Sequence, residues 1–141
     1  MRNYIRDILT PDEAKHLTGF TGRVPFDVGV IHKVVTEMQT LGASVTDKSY
    51  ATIERNQDGH DWHFDTGDMD HMTWCEWSAS VLLTKPDEFR GGVFQFANPT
   101  EEHMAHYCDA LIYTSDELHR VLPHHGNRKV LLVILGAANG E

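Results

Sequence analysis

The sequence predicts a mainly β domain, a sandwich or barrel entered through two helices, and three observations carry that expectation. After Gly42, β-branched and aromatic residues collect in short runs. Turn residues punctuate those runs: Gln57-Asp58-Gly59, Thr66-Gly67-Asp68, Lys85-Pro86-Asp87, Asn98-Pro99 and Gly126-Asn127. Many short strands divided by such turns are the pattern of closed or layered β architectures. Before Gly42 the texture is helical instead.

Taken in order, Thr10-Pro11-Asp12-Glu13 reads as a helix start. Thr10 can cap, Pro11 suits the first helical position, and Glu13 completes a capping box. This helix is expected to end near Gly19. A second helix is expected over about 26–41, with Asp27 as its cap. Val30, Val34, Met38 and Leu41 recur on one face of it, and Gly42 closes it. Strands are expected near 45–56, 61–66, 72–84, 92–97, 104–108, 109–114, 117–122 and 128–136. No internal repeat or low-complexity segment interrupts them. The 141 residues are thus read as one domain, with a helical lead-in over 1–43 and a β core over 44–141.

Composition narrows the function classes. The formal net charge of −9 repels a phosphate backbone, which argues against a nucleic-acid partner. Cys75 and Cys108 are the two cysteines, too few and too far apart for a disulfide framework or a cysteine-built zinc site. MRNYIRDILT lacks the apolar core of a signal peptide, and the longest apolar run, VLLVIL, has strand length. A cytoplasmic protein without a membrane partner is the expectation. Ten histidines in this length are many, and histidine is the commonest metal ligand.

The stretch GHDWHFDTGD, residues 59–68, concentrates that chemistry. On a strand, residues two apart share a face, so His63 and Asp65 would present an imidazole and a carboxylate to one point. These are two members of a 2-His-1-carboxylate set, which leaves positions open on Fe(II). The motif is weak alone and needs a third ligand from a distant strand. His119 sits in IYTSDELHRV, and Arg128, nine residues on, heads the strand RKVLLVIL. An arginine turned into an apolar β core is costly unless an anion meets it. Of the remaining polar groups, His60 is expected in a loop, facing away from His63. His103, His106, His124 and His125 are expected to be exposed, and Asp58, Asp61, Asp68 and Asp70 to be solvated loop charges. Trp62, Trp74 and Trp77 are expected in the core or at its rim.

The ordered set of H-x-D, Gly91-Gly92, a distal His and an Arg nine residues beyond resembles the 2-oxoglutarate- and Fe(II)-dependent dioxygenases. The resemblance is closest to the prolyl-4-hydroxylase-like branch, including the PKHD-type hydroxylases. SASVLLTKPDEFRGGVFQF (78–96), DALIYTSDELHRVLPHHGNRKVLLVIL (109–135) and YIRDILTPDEAKHL (4–17) all resemble segments of that family. It implies a double-stranded β-helix, the jelly-roll core of the cupins. It implies that His63, Asp65 and His119 bind Fe(II) and that Arg128 pairs with the distal carboxylate of 2-oxoglutarate. Asn56 stands where relatives carry a tyrosine that helps hold this cosubstrate, and Tyr50 is the nearest upstream tyrosine. The implied reaction consumes O2 and 2-oxoglutarate, hydroxylates a peptidyl (prolyl) or small amino-acid-like substrate, and releases succinate and CO2. The rival readings are a cupin-like binder of a metal or small ligand without turnover, and a zinc hydrolase built on His60, His63 and His119.

Overall fold

A computed structural model describes residues 1–65, 74–104 and 106–137. The expected turn at 66–68, the strand residues at 66, 72, 73 and 105, and Asp68 and Asp70 lie outside the described residues. The chain opens with β1 (Arg2–Ile5), α1 (Pro11–Thr18), β2 (Gly22–Val24) and α2 (Gly29–Thr40). The pair β3 (Ala43–Ser44) and β4 (Tyr50–Glu54) follows, then β5 (His60–His63) and β6 (Trp77–Leu82). A short 3-10 turn at Pro86–Glu88 leads into β7 (Phe89–Gly91), β8 (Phe94–Ala97) and β9 (Thr100–His103). The last strands are β10 (Ala110–Thr114), β11 (His119–Val121), β12 (His124–Gly126) and β13 (Val130–Ala137).

The capping box of α1 forms as expected: Glu13 N donates to Thr10 Oγ1, and Thr10 N donates to Glu13 Oε1. The second helix starts later than the sequence predicts. Its N-cap is Val28, without a side-chain cap, so Asp27 does not serve. Gly42 follows that helix with φ +115°, a value glycine tolerates without a Cβ penalty.

The helical lead-in is also partly strand. β1 pairs with β10, and β2 pairs with β4. Both strands are too short for their alternation to show in the sequence. The expected strand at 45–56 forms only over β4, and the two-residue β3 precedes it. The expected strand at 104–108 is not formed: the described residues there make a loop, in which Cys108 has φ +72°. Its place is taken by β9, which returns from β8 as an antiparallel hairpin through Asn98-Pro99.

The strands make a major sheet of order β1-β10-β6-β13-β4-β2, with β3 on β13, and a minor sheet β5-β11-β8-β9. A further pair, β12-β7, stands apart. All pairings are antiparallel. This is the mainly β, jelly-roll core that the sequence predicts.

Period-2 alternation divides the major sheet between two tasks. Leu131, Val133 and Leu135 of β13, Ala79 and Val81 of β6, Ala51 and Ile53 of β4, and Ala110 and Ile112 of β10 face the helices. They meet Ala14 and Leu17 of α1 and Ile31, Val34, Val35 and Met38 of α2. The intervening residues, Val130, Leu132 and Ile134 among them, line a cavity toward the minor sheet. The helical face is therefore the stabilising core. Leu131→Ala, at a fully buried position of that core, is expected to cost about 2–5 kcal/mol. A urea unfolding midpoint lowered at unchanged m-value would show it; an unchanged midpoint would mean that the core lies elsewhere. No helix among the described residues is long and apolar enough to cross a membrane.

Candidate metal centre and its cavity

β5 and β11 are antiparallel neighbours, and their register sets His63 directly opposite His119. The imidazole centroids lie 4.3 Å apart. Each ring is held by the same local device. His63 Nδ1 donates to the carbonyl of Asp61 at 2.6 Å, and His119 Nδ1 donates to the carbonyl of Glu117 at 2.8 Å. A carbonyl only accepts, so Nδ1 carries the proton in both rings. Both Nε2 lone pairs are then free and turned inward.

They turn toward Asp65. Its Oδ1 lies 3.4 Å from His63 Nε2 and 3.0 Å from His119 Nε2. The three potential ligand atoms all lie within 4.8 Å of one another. Burial works against the Asp65 charge, but His119, His63 and Ser78 outweigh it and hold its pKa well below the carboxylate range. His63 is shifted the other way. Its contact with Asp65 raises its pKa, and burial opposes the rise only in part. A carboxylate and two inward lone pairs converging on one point attract a cation, and a proton is the smallest that answers. The donor set of two imidazoles and one carboxylate fits a first-row divalent metal such as Fe(II). His119 is buried and stacked on Phe94, with centroids 5.1 Å apart, so this ligand cannot swing away.

These atoms open onto a cavity of about 210 Å³ between the two sheets. Phe94, Val121, Val130, Leu132 and Ile134 make it mostly apolar. Arg128 also lines it, only 8% exposed and two residues before β13, on the same side as Val130 and Leu132. It makes no side-chain hydrogen bond or ion pair with the described residues. Burial pushes its pKa down, and the nearby Glu54 carboxylate opposes that shift without pairing with it. Gly92 makes room for the guanidinium. A Cβ there would lie 2.4 Å from Arg128 Nε, on a backbone with φ +70°. Gly91, at φ +85°, does the same for the β7-β12 crossing, where a Cβ would meet the Pro123 carbonyl at 2.4 Å.

The structure brings His63, Asp65, His119 and Arg128 to this one cavity. It does not bring Asn56 there. Asn56 is exposed, its Nδ2 donating to the Gly59 carbonyl and its Oδ1 accepting from Asp58 N, so its side chain closes the β4-β5 turn. Tyr50 and Glu54 of β4 line the cavity instead.

His60 corrects a second expectation. It begins β5 and lines the cavity beside His63, with ring centroids 5.7 Å apart. Its Nε2 meets Glu54 Oε1 in a close contact. The β5-β11 pairing is irregular between His119 and Val121, and this bulge brings residues three apart to one side.

His124 is buried rather than exposed, edge-on to Phe89, and neither ring nitrogen has a partner among the described residues. Burial first, then the neighbouring Arg128, lowers its pKa. His103 is half-buried, stacked on Tyr4 at 6.0 Å, while His106 and His125 are exposed as expected. Asp58 and Asp61 are exposed loop and strand charges, Trp77 is in the core, and Trp62 lies on the rim under Arg120. Sequence reasoning missed Tyr113 and Ser80, which line the cavity, and Ser78, which is buried against Asp65, all inside predicted strands. The only available signal was a hydroxyl at alternate positions of an otherwise apolar run.

No family model matches the sequence, and neither does any curated protein. Solved structures do match the fold. Over 96% of this chain and 95% of the other, it is similar to the viral collagen prolyl hydroxylase of Paramecium bursaria Chlorella virus-1 in its 2OG complex. That match has a TM-score of 0.74 at 14% identity. A Pseudomonas putida prolyl-4-hydroxylase matches with TM-score 0.67 at 14% identity, covering 96% of this chain and 92% of that one. A Trichoplax adhaerens prolyl hydroxylase, in complex with a hypoxia-inducible-factor degradation-domain peptide, matches at 0.65 and 12%, covering 99% and 84%. At these identities the likeness is one of fold, and the fold is that of the prolyl hydroxylases.

Proposed function

We propose that the protein is an Fe(II)- and 2-oxoglutarate-dependent dioxygenase that hydroxylates either a peptidyl side chain, prolyl among the candidates, or a small amino-acid-like substrate. One observation carries the reading: a single cavity holds a His63–Asp65–His119 set and, on its wall, a buried guanidinium with no hydrogen bond or ion pair to the described residues. The fold shared with prolyl hydroxylases supports it.

In this reading His63, Asp65 and His119 hold the iron. When bound, Fe(II) with 2-oxoglutarate and O2 supplies the oxidative decarboxylation that yields succinate and CO2 and hydroxylates the substrate. The protein's own part is placement. Arg128 pairs with the distal carboxylate of 2-oxoglutarate, and its desolvation strengthens that pairing. Phe94, Val130, Leu132 and Ile134 exclude water from the cosubstrate's chain. Glu54 is engaged by His60, which leaves Arg128 available to an incoming anion. The peptide ligand of the Trichoplax relative supports a peptidyl substrate here, and the acidic chain favours a partner that is not nucleic acid.

The test is an anaerobic titration of the metal-free protein with Fe(II), then 2-oxoglutarate, followed by visible absorption. The expected result is the weak charge-transfer band of a chelated 2-oxo acid, present in the wild type and lost in Asp65→Ala. Iron binding without that band would replace this reading with a cupin-like binder that does not turn over.

A further inference from the structure

Asp65 has two carboxylate oxygens, and only one faces the histidines. Oδ1 meets both Nε2 atoms, while Oδ2 accepts a hydrogen bond from Ser78 Oγ at 2.5 Å. Ser78 is fully buried in β6. Its cross-strand neighbours are Tyr113 of β10 and Ile134 of β13. Two hydroxyls therefore stand side by side on the cavity face of the major sheet, where alternation would place apolar groups. Tyr113 is 2% exposed, and its hydroxyl lies 3.5 Å from His119 Nε2.

We infer that Ser78 and Tyr113 are positioning residues that fix the Asp65 carboxylate so that a single oxygen, Oδ1, is offered to the metal. The inference rests on the metal-site reading above. Three points of chemistry carry it. A buried hydroxyl that donates to a carboxylate oxygen removes that oxygen's freedom to rotate toward a cation. A carboxylate oxygen only accepts, so the Ser78 hydrogen goes to Asp65, with Cys75 Sγ 3.9 Å from Ser78 Oγ behind it. Once a metal occupies the Nε2 lone pair of His119, the phenol can donate to Asp65 but no longer to that nitrogen.

Without Ser78 the carboxylate is free to turn and chelate with both oxygens. That would take up a coordination position which the reaction leaves open for cosubstrate or oxygen. The experiment uses the whole chain, metal-free, titrated with Co(II) and read by calorimetry and by the visible ligand-field spectrum. If the wild type binds no Co(II), the metal-site reading itself fails. If it binds, Ser78→Ala is expected to weaken binding about 10- to 100-fold and to change the spectrum. Tyr113→Phe should move both in the same direction by less. Ser78→Thr, which keeps the hydroxyl, should restore both. Ser78→Cys keeps the volume but donates poorly, and it replaces the alanine variant if that one unfolds. Binding within twofold of wild type with an unchanged spectrum, or no recovery in Ser78→Thr, would overturn the inference.

Discussion

His119→Ala is expected to abolish iron-dependent turnover while the chain still folds. In the proposed site this imidazole is the ligand contributed by β11, and its Nε2 is 3.0 Å from Asp65 Oδ1. Two remaining ligands would bind a divalent ion far more weakly than three. The variant should fold because His119 belongs to the cavity face and not to the helix-backed core. Its stacking on Phe94 and its contact with Tyr113 would be lost, at a stability cost of about 1–3 kcal/mol. The measurement is succinate formation with 2-oxoglutarate and Fe(II), beside a thermal unfolding curve. Turnover retained in a folded His119→Ala protein would remove this residue from the ligand set.

Arg128→Ala should act on the cosubstrate and spare the metal. Losing one charge-assisted hydrogen-bonding partner for a desolvated carboxylate costs about 1.5–3 kcal/mol, which is about a 10- to 150-fold rise in the 2-oxoglutarate requirement. Fe(II) affinity should change little, since no ligand atom is touched. Gly92→Ala tests the same guanidinium without removing it. The new methyl would have to displace Arg128 Nε from 2.4 Å, on a backbone that disfavours any Cβ. It should therefore raise the same requirement in the same direction. Both quantities come from titrating 2-oxoglutarate at saturating iron. An unchanged requirement in Arg128→Ala would mean that another group holds the carboxylate.

What the sequence disclosed follows the range over which each signal acts. His63 and Asp65 were legible because strand alternation is a local rule. His119 and Arg128 were legible through their order along the chain. The helix start at Thr10 was legible because a capping box is written in four consecutive residues. The remainder depends on contacts between distant segments. Unbroken alternation predicts a loop for His60, whereas a bulge against β11 brings it to the cavity. The position of Asn56 in the sequence predicts a contact with the cosubstrate, but its amide is consumed by the turn it sits in. β1 and β2 have four and three residues and exist because β10 and β4 offer them free edges. The burial of His124 depends on the β7-β12 pair, which no local pattern announces.

The place of β5 has a consequence of another kind. It is the end strand of the minor sheet, joined to β11 alone, and that joint is irregular. Yet His63 is on β5, Asp65 lies two residues past it, and His119 is on the strand across the joint. An ion held by all three would act as a rivet through this irregular seam at the end of the minor sheet. Opening of that edge would then require the ion to leave, so the seam gains the binding free energy as extra resistance to local unfolding. The mouth of the cavity and the occupancy of the proposed centre would then be one equilibrium, with the ion holding its own doorway in shape.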